Sequence, residues 1–201
     1  MKRIVLLCAV LAGCIFSTRT PEPPNSSTTF IWIPATTPDL LIQNLSGALK
    51  TLDATDYIRV FISATESTNN SAKAFSFTPA SDINQSSRAV FTDWGGSNEQ
   101  QWVTNLASQL PPNSQITLLL TNEVEDQSSN SASLSYNYTI SLPSSAPSVI
   151  PGVVQGALQF QLAFITTDEG TKEWRIISWS DYIPQSGNGP TWSDLKVDLS
   201  S

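Results

Sequence analysis

Two long stretches alternate apolar and polar residues with a period of two, and they settle the character of half the chain. Leu134, Tyr136, Tyr138, Ile140 and Leu142 interleave with Ser133, Ser135, Asn137, Thr139 and Ser141, and Val154, Leu158, Phe160, Leu162 and Phe164 alternate with Gln155, Gln159 and Gln161. Successive side chains of a strand point to opposite faces, so the pattern predicts antiparallel strands with one dry and one wet face. Residues 116–120 predict an earlier strand. Residues 174–182 predict a later one, joined to its predecessor through Thr167-Asp168-Glu169-Gly170.

The first half repeats at helical spacing instead. Thr37 is placed as an N-cap, with Pro38 at the first helical position and Asp39 in the first turn, ahead of Leu41, Leu45, Ala48, Leu49 and Leu52. Residues 53–56 break this helix and start a shorter one carrying Tyr57, Ile58, Val60 and Phe61, followed by a polar loop. Ala74-Phe75-Ser76-Phe77-Thr78-Pro79 reads as a short strand stopped by proline. Ser97 with Gln100 makes a capping-box pattern before Trp102, Val103, Leu106 and Leu110, and Pro111-Pro112 ends this third helix. Helices first and antiparallel strands later give an α+β domain.

The chain begins with Lys2 and Arg3, an apolar run over residues 4–10, and Leu11-Ala12-Gly13-Cys14. This resembles a bacterial lipoprotein export signal, whose basic start stays on the cytoplasmic side while an apolar segment too short to span a bilayer enters the export machinery. The resemblance implies cleavage before Cys14 and lipidation of its thiol. Several acyl chains would hold the protein stably, where a single chain binds a membrane only marginally. The expected organisation is a signal peptide over 1–13, a lipidated Cys14 with a Pro/Ser/Thr-rich tether over 14–29, and one domain over 30–201. Ile15 rather than Asp follows the cysteine, which by analogy with lipoprotein sorting favours the outer membrane over the inner one in a double-membraned host. The expected location is therefore the bacterial cell envelope, with the membrane as a partner through the lipid anchor. Cys8 leaves with the signal, so a disulfide-free core must hold the fold in a compartment that permits disulfides.

Composition removes several chemistries. There is no histidine, so Ser-His-Asp and Cys-His arrangements and Cys/His zinc sites are absent. No Gly-x-Ser-x-Gly occurs, and Gly95-Gly96 lacks the Gly-Lys-Ser/Thr of a phosphate loop. A Ser-Lys dyad stays open. Without Lys2 and Arg3, eight scattered basic residues face 17 acidic ones, a formal charge of −9, which argues against a nucleic-acid partner. Glu123, Glu125 and Asp126 are expected at a solvated hairpin tip rather than around a metal, and no cofactor is expected. Asp181 is expected to turn toward Lys196 or to cap residues 191–196.

The order helix, helix, short strand, helix and four long strands has a distinctive close. It runs Trp174-Arg-Ile-Ile-Ser-Trp179-Ser-Asp181 and then Thr191-Trp192-Ser193-Asp194-Leu195-Lys196. Over residues 37–199 this resembles the nuclear transport factor 2-like (SnoaL-like) superfamily. The resemblance implies three N-terminal helices packed on a curved antiparallel sheet, a cone whose interior holds the reactive pocket in members such as ketosteroid isomerase and the polyketide cyclases. The isomerase base would fall near Thr78, which cannot serve as one. Tyr57, Phe75, Phe77, Trp102, Tyr136, Tyr138, Phe160, Phe164, Trp174 and Trp179 either line a cavity for an apolar ligand or fill the cone, and filling is favoured because a disulfide-free domain needs their buried area. The expected function is a non-enzymatic binding or assembly module whose partner is a protein, a second copy of the chain or an apolar small molecule. The alternative is a lyase or isomerase acting on an apolar small molecule.

Overall fold

In the computed structural model, residues 30–184 and 189–200 are described, so Cys14, the signal segment and the tether lie outside the described residues. Helix α1 (Pro38–Thr51) starts where the side chain of Thr37 accepts the Leu40 N–H at 3.3 Å. It ends at Leu52, whose left-handed backbone turns the chain so that Asp53 caps α2 (Ala54–Arg59) at once, accepting the Thr55 and Asp56 N–H groups at 3.0 Å each. The polar stretch expected as a loop contains α3 (Ala64–Asn69), closed by a reciprocal capping box between Ser63 and Glu66. Strand β1 (Ser76–Thr78) follows, then α4 (Gln85–Arg88), a 3-10 turn (Ala89–Phe91) and α5 (Gly96–Gln109). The start of α5 differs from the expected Ser97/Gln100 box. Gly95 is the N-cap, and its N–H is accepted by Asn98 at 3.0 Å.

Four long strands complete the sheet: β2 (Thr117–Gln127), β3 (Ser131–Ser141), β4 (Val153–Thr166) and β5 (Lys172–Tyr182), before a last helix, α6 (Trp192–Asp198). The order is β1-β5-β4-β3-β2, antiparallel throughout except for β1, which runs parallel to β5. The class is therefore α+β with helices on one face of a curved, unclosed sheet, although among the described residues six α-helices rather than three flank it. One further difference concerns Glu123, Glu125 and Asp126. Glu123 lies in a bulge of β2 between Thr121 and Val124, Glu125 and Asp126 lie in the paired strand past it, and the turn falls beyond Gln127. As an edge strand, β2 keeps its pairing with β3 while its charged side chains guard the open side against edge-to-edge association.

Burial follows the alternation closely. In β3, Leu134, Tyr136, Tyr138 and Ile140 are buried beside Val154, Leu158 and Phe160 of β4, and Leu41, Leu45, Ala48 and Leu49 of α1 are wholly buried with them in one core. Gly156 sits opposite Tyr138 in the register. A side chain there would approach Tyr138 Cζ and the Tyr182 carbonyl oxygen to 2.6 Å each, so only glycine lets the tyrosine lie across β4. Among the described residues no helix is long and apolar enough to cross a membrane.

Candidate functional site

The concave side of the sheet, where the resemblance implies a pocket, is occupied by the chain's own last helix. Thr191 caps α6 by a reciprocal box with Asp194. Asp181, at the end of β5, holds the helix start: its carboxylate accepts the Ser193 N–H at 2.7 Å, the Ser193 hydroxyl at 2.5 Å and the Tyr138 hydroxyl at 2.7 Å. The Tyr138 oxygen in turn accepts the Trp192 N–H at 2.7 Å. Burial pushes the Asp181 carboxyl above the ordinary carboxylate range, against the pull of these donors and of Lys196. Of the two roles expected for Asp181, its hydrogen bonds perform the capping one.

Lys196 pairs with Glu99 of α5, and both side chains are fully buried. The ammonium lies 3.7 Å from the Phe77 ring centroid and 3.9 Å from that of Trp179, inside the distance at which aromatic faces attract a cation. Glu99 also accepts the Trp94 indole N–H at 2.7 Å and the Tyr57 hydroxyl at 3.0 Å. The Tyr57 phenol is pushed well above its ordinary range by burial and by this carboxylate, so it is a donor held in place and not an acid near neutrality. Burial lowers Lys196 to about 8, with Glu99 and Asp181 opposing that shift.

The ten aromatics divide four ways. Tyr57, Phe77, Trp102, Tyr138, Phe160 and Trp179 join Trp192 in one packed cluster, with Trp179 and Trp192 edge-to-face at 4.4 Å between centroids and Phe77 and Phe160 against Trp179 at 5.2 and 5.3 Å. Phe164 and Trp174 form a separate pair at 5.2 Å. Tyr136 donates to Glu123 of the edge strand at 2.5 Å. Phe75 stacks on Phe61 and faces an open groove. Thr78, at the position of the isomerase base, is exposed.

That groove, about 540 Å3, lies between the end of α2, the start of α3, the N-terminus of α5 and the β4–β5 hairpin. Phe61, Phe75, Ile58 and Ile62 give it an apolar wall, and Arg59, Arg175, Glu66, Asp168 and Glu169 give it a charged rim. The Arg59 guanidinium lies 4.2 Å over the Trp32 ring. Arg175, nearly buried, ties Glu173 of its own strand at 2.9 Å to Glu66 of α3 at 3.4 Å. Backbone and Thr167 hydrogen bonds hold the Glu169 carboxyl below its ordinary range, helped by Arg59 and Arg175. Sequence reasoning missed the groove and the Glu99 partnership. The one available signal was Lys196 on the same helical face as Trp192 and Leu199, a cation placed within an apolar stripe.

No family model matches the chain, and no curated protein is similar to it in sequence. The likenesses are to solved structures. The chain is similar to a nuclear transport factor 2-like superfamily protein from Salmonella enterica serovar Typhimurium, at 15% identity and a TM-score of 0.49 over 74% of this chain and 90% of that one. It is similar also to a nuclear transport factor 2-like protein with a cystatin-like fold from Novosphingobium aromaticivorans, at 10% identity and 0.46 over 73% and 79%. A third likeness is to a cystatin-like protein of unknown function from Nostoc punctiforme, at 10% identity and 0.46 over 76% and 96%.

Proposed function

We propose that the chain is a non-enzymatic recognition module, lipidated at Cys14 and tethered to the bacterial envelope membrane by residues 14–29. The observation that supports a non-enzymatic reading is the filled interior: α6 places a fully buried Lys196 against Glu99 amid the aromatic cluster, where an enzyme of this shape would need space for substrate. Recognition is then left to the outside of the domain. The groove beside α5 fits an apolar small molecule or an apolar segment of a partner protein, because its wall offers Phe61 and Phe75 while its cations are already matched by carboxylates.

A thermal-shift screen of sterols, polyketides and fatty acids against the full chain tests the groove. A true ligand raises the melting temperature of the wild type and leaves that of Ala74→Trp unmoved, since Ala74 is exposed in the groove and the larger ring occupies it. A screen without hits removes the small-molecule reading. The anchor is tested separately: Cys14→Ser should abolish incorporation of labelled palmitate and release the protein from membranes. Palmitate incorporated into that variant would overturn lipidation at Cys14.

A further inference from the structure

The outer face of the sheet is nearly free of charge. β3 and β4 contain no Asp, Glu, Lys or Arg at any position, and the outward residues of the neighbouring strands include Thr117, Leu119, Thr121, Val124 and, near the hairpin end, Asp126 on β2, and Ser178, Ser180 and Tyr182 on β5. Open faces of soluble sheets ordinarily carry charged residues that keep them solvated and apart. Here the wet side is a field of hydroxyls and amides. Part of that field is already ordered: Gln159 and Gln161 both donate to the Ser133 hydroxyl, at 3.2 and 3.0 Å, and Gln155 donates to Thr139 at 3.3 Å.

In the middle of this face lies a hollow of about 340 Å3. Its origin is visible in the register, which aligns Asn137, Ala157 and Tyr182 in one row across three strands. The small Ala157 leaves a gap between an amide on one side and a half-exposed phenol ring, 47% accessible, on the other. Asn122, Ser135, Gln159 and the exposed Val124 add to the rim. Among the described residues, neither Asn122 nor Asn137 makes a side-chain hydrogen bond, so two amides present donors and acceptors to whatever enters.

We propose that this hollow binds an uncharged glycan strand. Planar amides and hydroxyls match the paired donors and acceptors of sugar hydroxyls, and the Tyr182 ring is an apolar platform for the C–H face of a pyranose. A protein partner would be met by a different surface. Interface cores are enriched in aromatic residues, Met and Arg, whereas this face offers a single tyrosine and no arginine, and its exposed Leu119, Val124 and Val153 are each paired with a hydroxyl residue, Thr139, Ser135 and Ser141. The absence of cations equally disfavours a polyanion. Because the glutamines are already held by Ser133 and Thr139, little side-chain freedom is lost on binding.

The test uses the full chain in titration calorimetry with chitotetraose, maltotetraose and, as the anionic control, heparin. At least one neutral tetrasaccharide binds saturably, heparin does not, Tyr182→Ala weakens binding about tenfold, and Ala157→Arg abolishes it by filling the hollow. Both variants keep the wild-type melting temperature because neither side chain belongs to the core. Ala74→Trp binds the sugar normally, which separates this site from the groove. Silence from both tetrasaccharides at ~10 mM overturns the proposal, as does binding that survives Ala157→Arg. So does a concentration-dependent dimer that Ala157→Arg dissolves, which would assign the face to a second copy of the chain.

Discussion

Lys196→Met should destabilise the domain by about 3–5 kcal/mol in chemical denaturation at neutral pH, because it strands the Glu99 carboxylate in the core. Methionine nearly matches the lysine stem in volume, so packing against Phe77 and Trp179 survives and the loss is electrostatic. Combining it with Glu99→Gln should recover most of the loss. The amide oxygen can still accept from Trp94 while the amide NH2 donates to the Tyr57 hydroxyl oxygen, and a neutral pair of similar shape has no desolvated charge to support. A single variant as stable as the wild type would mean that the pair adds nothing to the stability of the fold.

The second large effect is expected at Gly156. Substitution by alanine brings Cβ to 2.6 Å from Tyr138 Cζ and from the Tyr182 carbonyl oxygen, and a backbone carbonyl within a paired strand cannot withdraw. The conflict spreads, because Tyr138 holds both Asp181 and the first N–H of α6. We expect a loss of at least ~3 kcal/mol, at the upper end of overpacking costs, measured by denaturation or by failure to accumulate folded protein. Tyr138→Phe combined with Gly156→Ala should recover only part of it, because the carbonyl contact remains. Full recovery would place the whole conflict at the tyrosine oxygen.

Those two residues illustrate what a sequence of this kind discloses. The strands were legible because Leu134 to Ile140 and Val154 to Phe160 obey a period that only a half-buried sheet requires, and α1 and α2 because Thr37 and Asp53 satisfy their own helix ends locally. Edge strand β2 hid its length, since a strand with an open side needs no apolar alternation beyond the bulge at Thr121. Helix α3 did carry a local signal, the Ser63/Glu66 box, but too little apolar periodicity to stand out. The buried pair was hidden for a different reason. Glu99 and Lys196 are 97 positions apart; Glu99 alone reads as a solvated helix charge, and Lys196 in its apolar stripe names no partner. Only the tertiary fold desolvates them together. The groove likewise draws its residues from four separate elements, none of which carries a pattern of its own.

The position of that pair along the chain has a consequence for folding. α1, α2, α5 and the five strands of the sheet all precede the cation that Glu99 requires. Without α6, the core would hold an uncompensated carboxylate, and the Tyr138 hydroxyl and Asp181 would lack their helix partners. Docking of α6 is thus the step that shuts the domain: a form cut before Thr191 remains open to proteases, whereas one that keeps residues 191–199 does not.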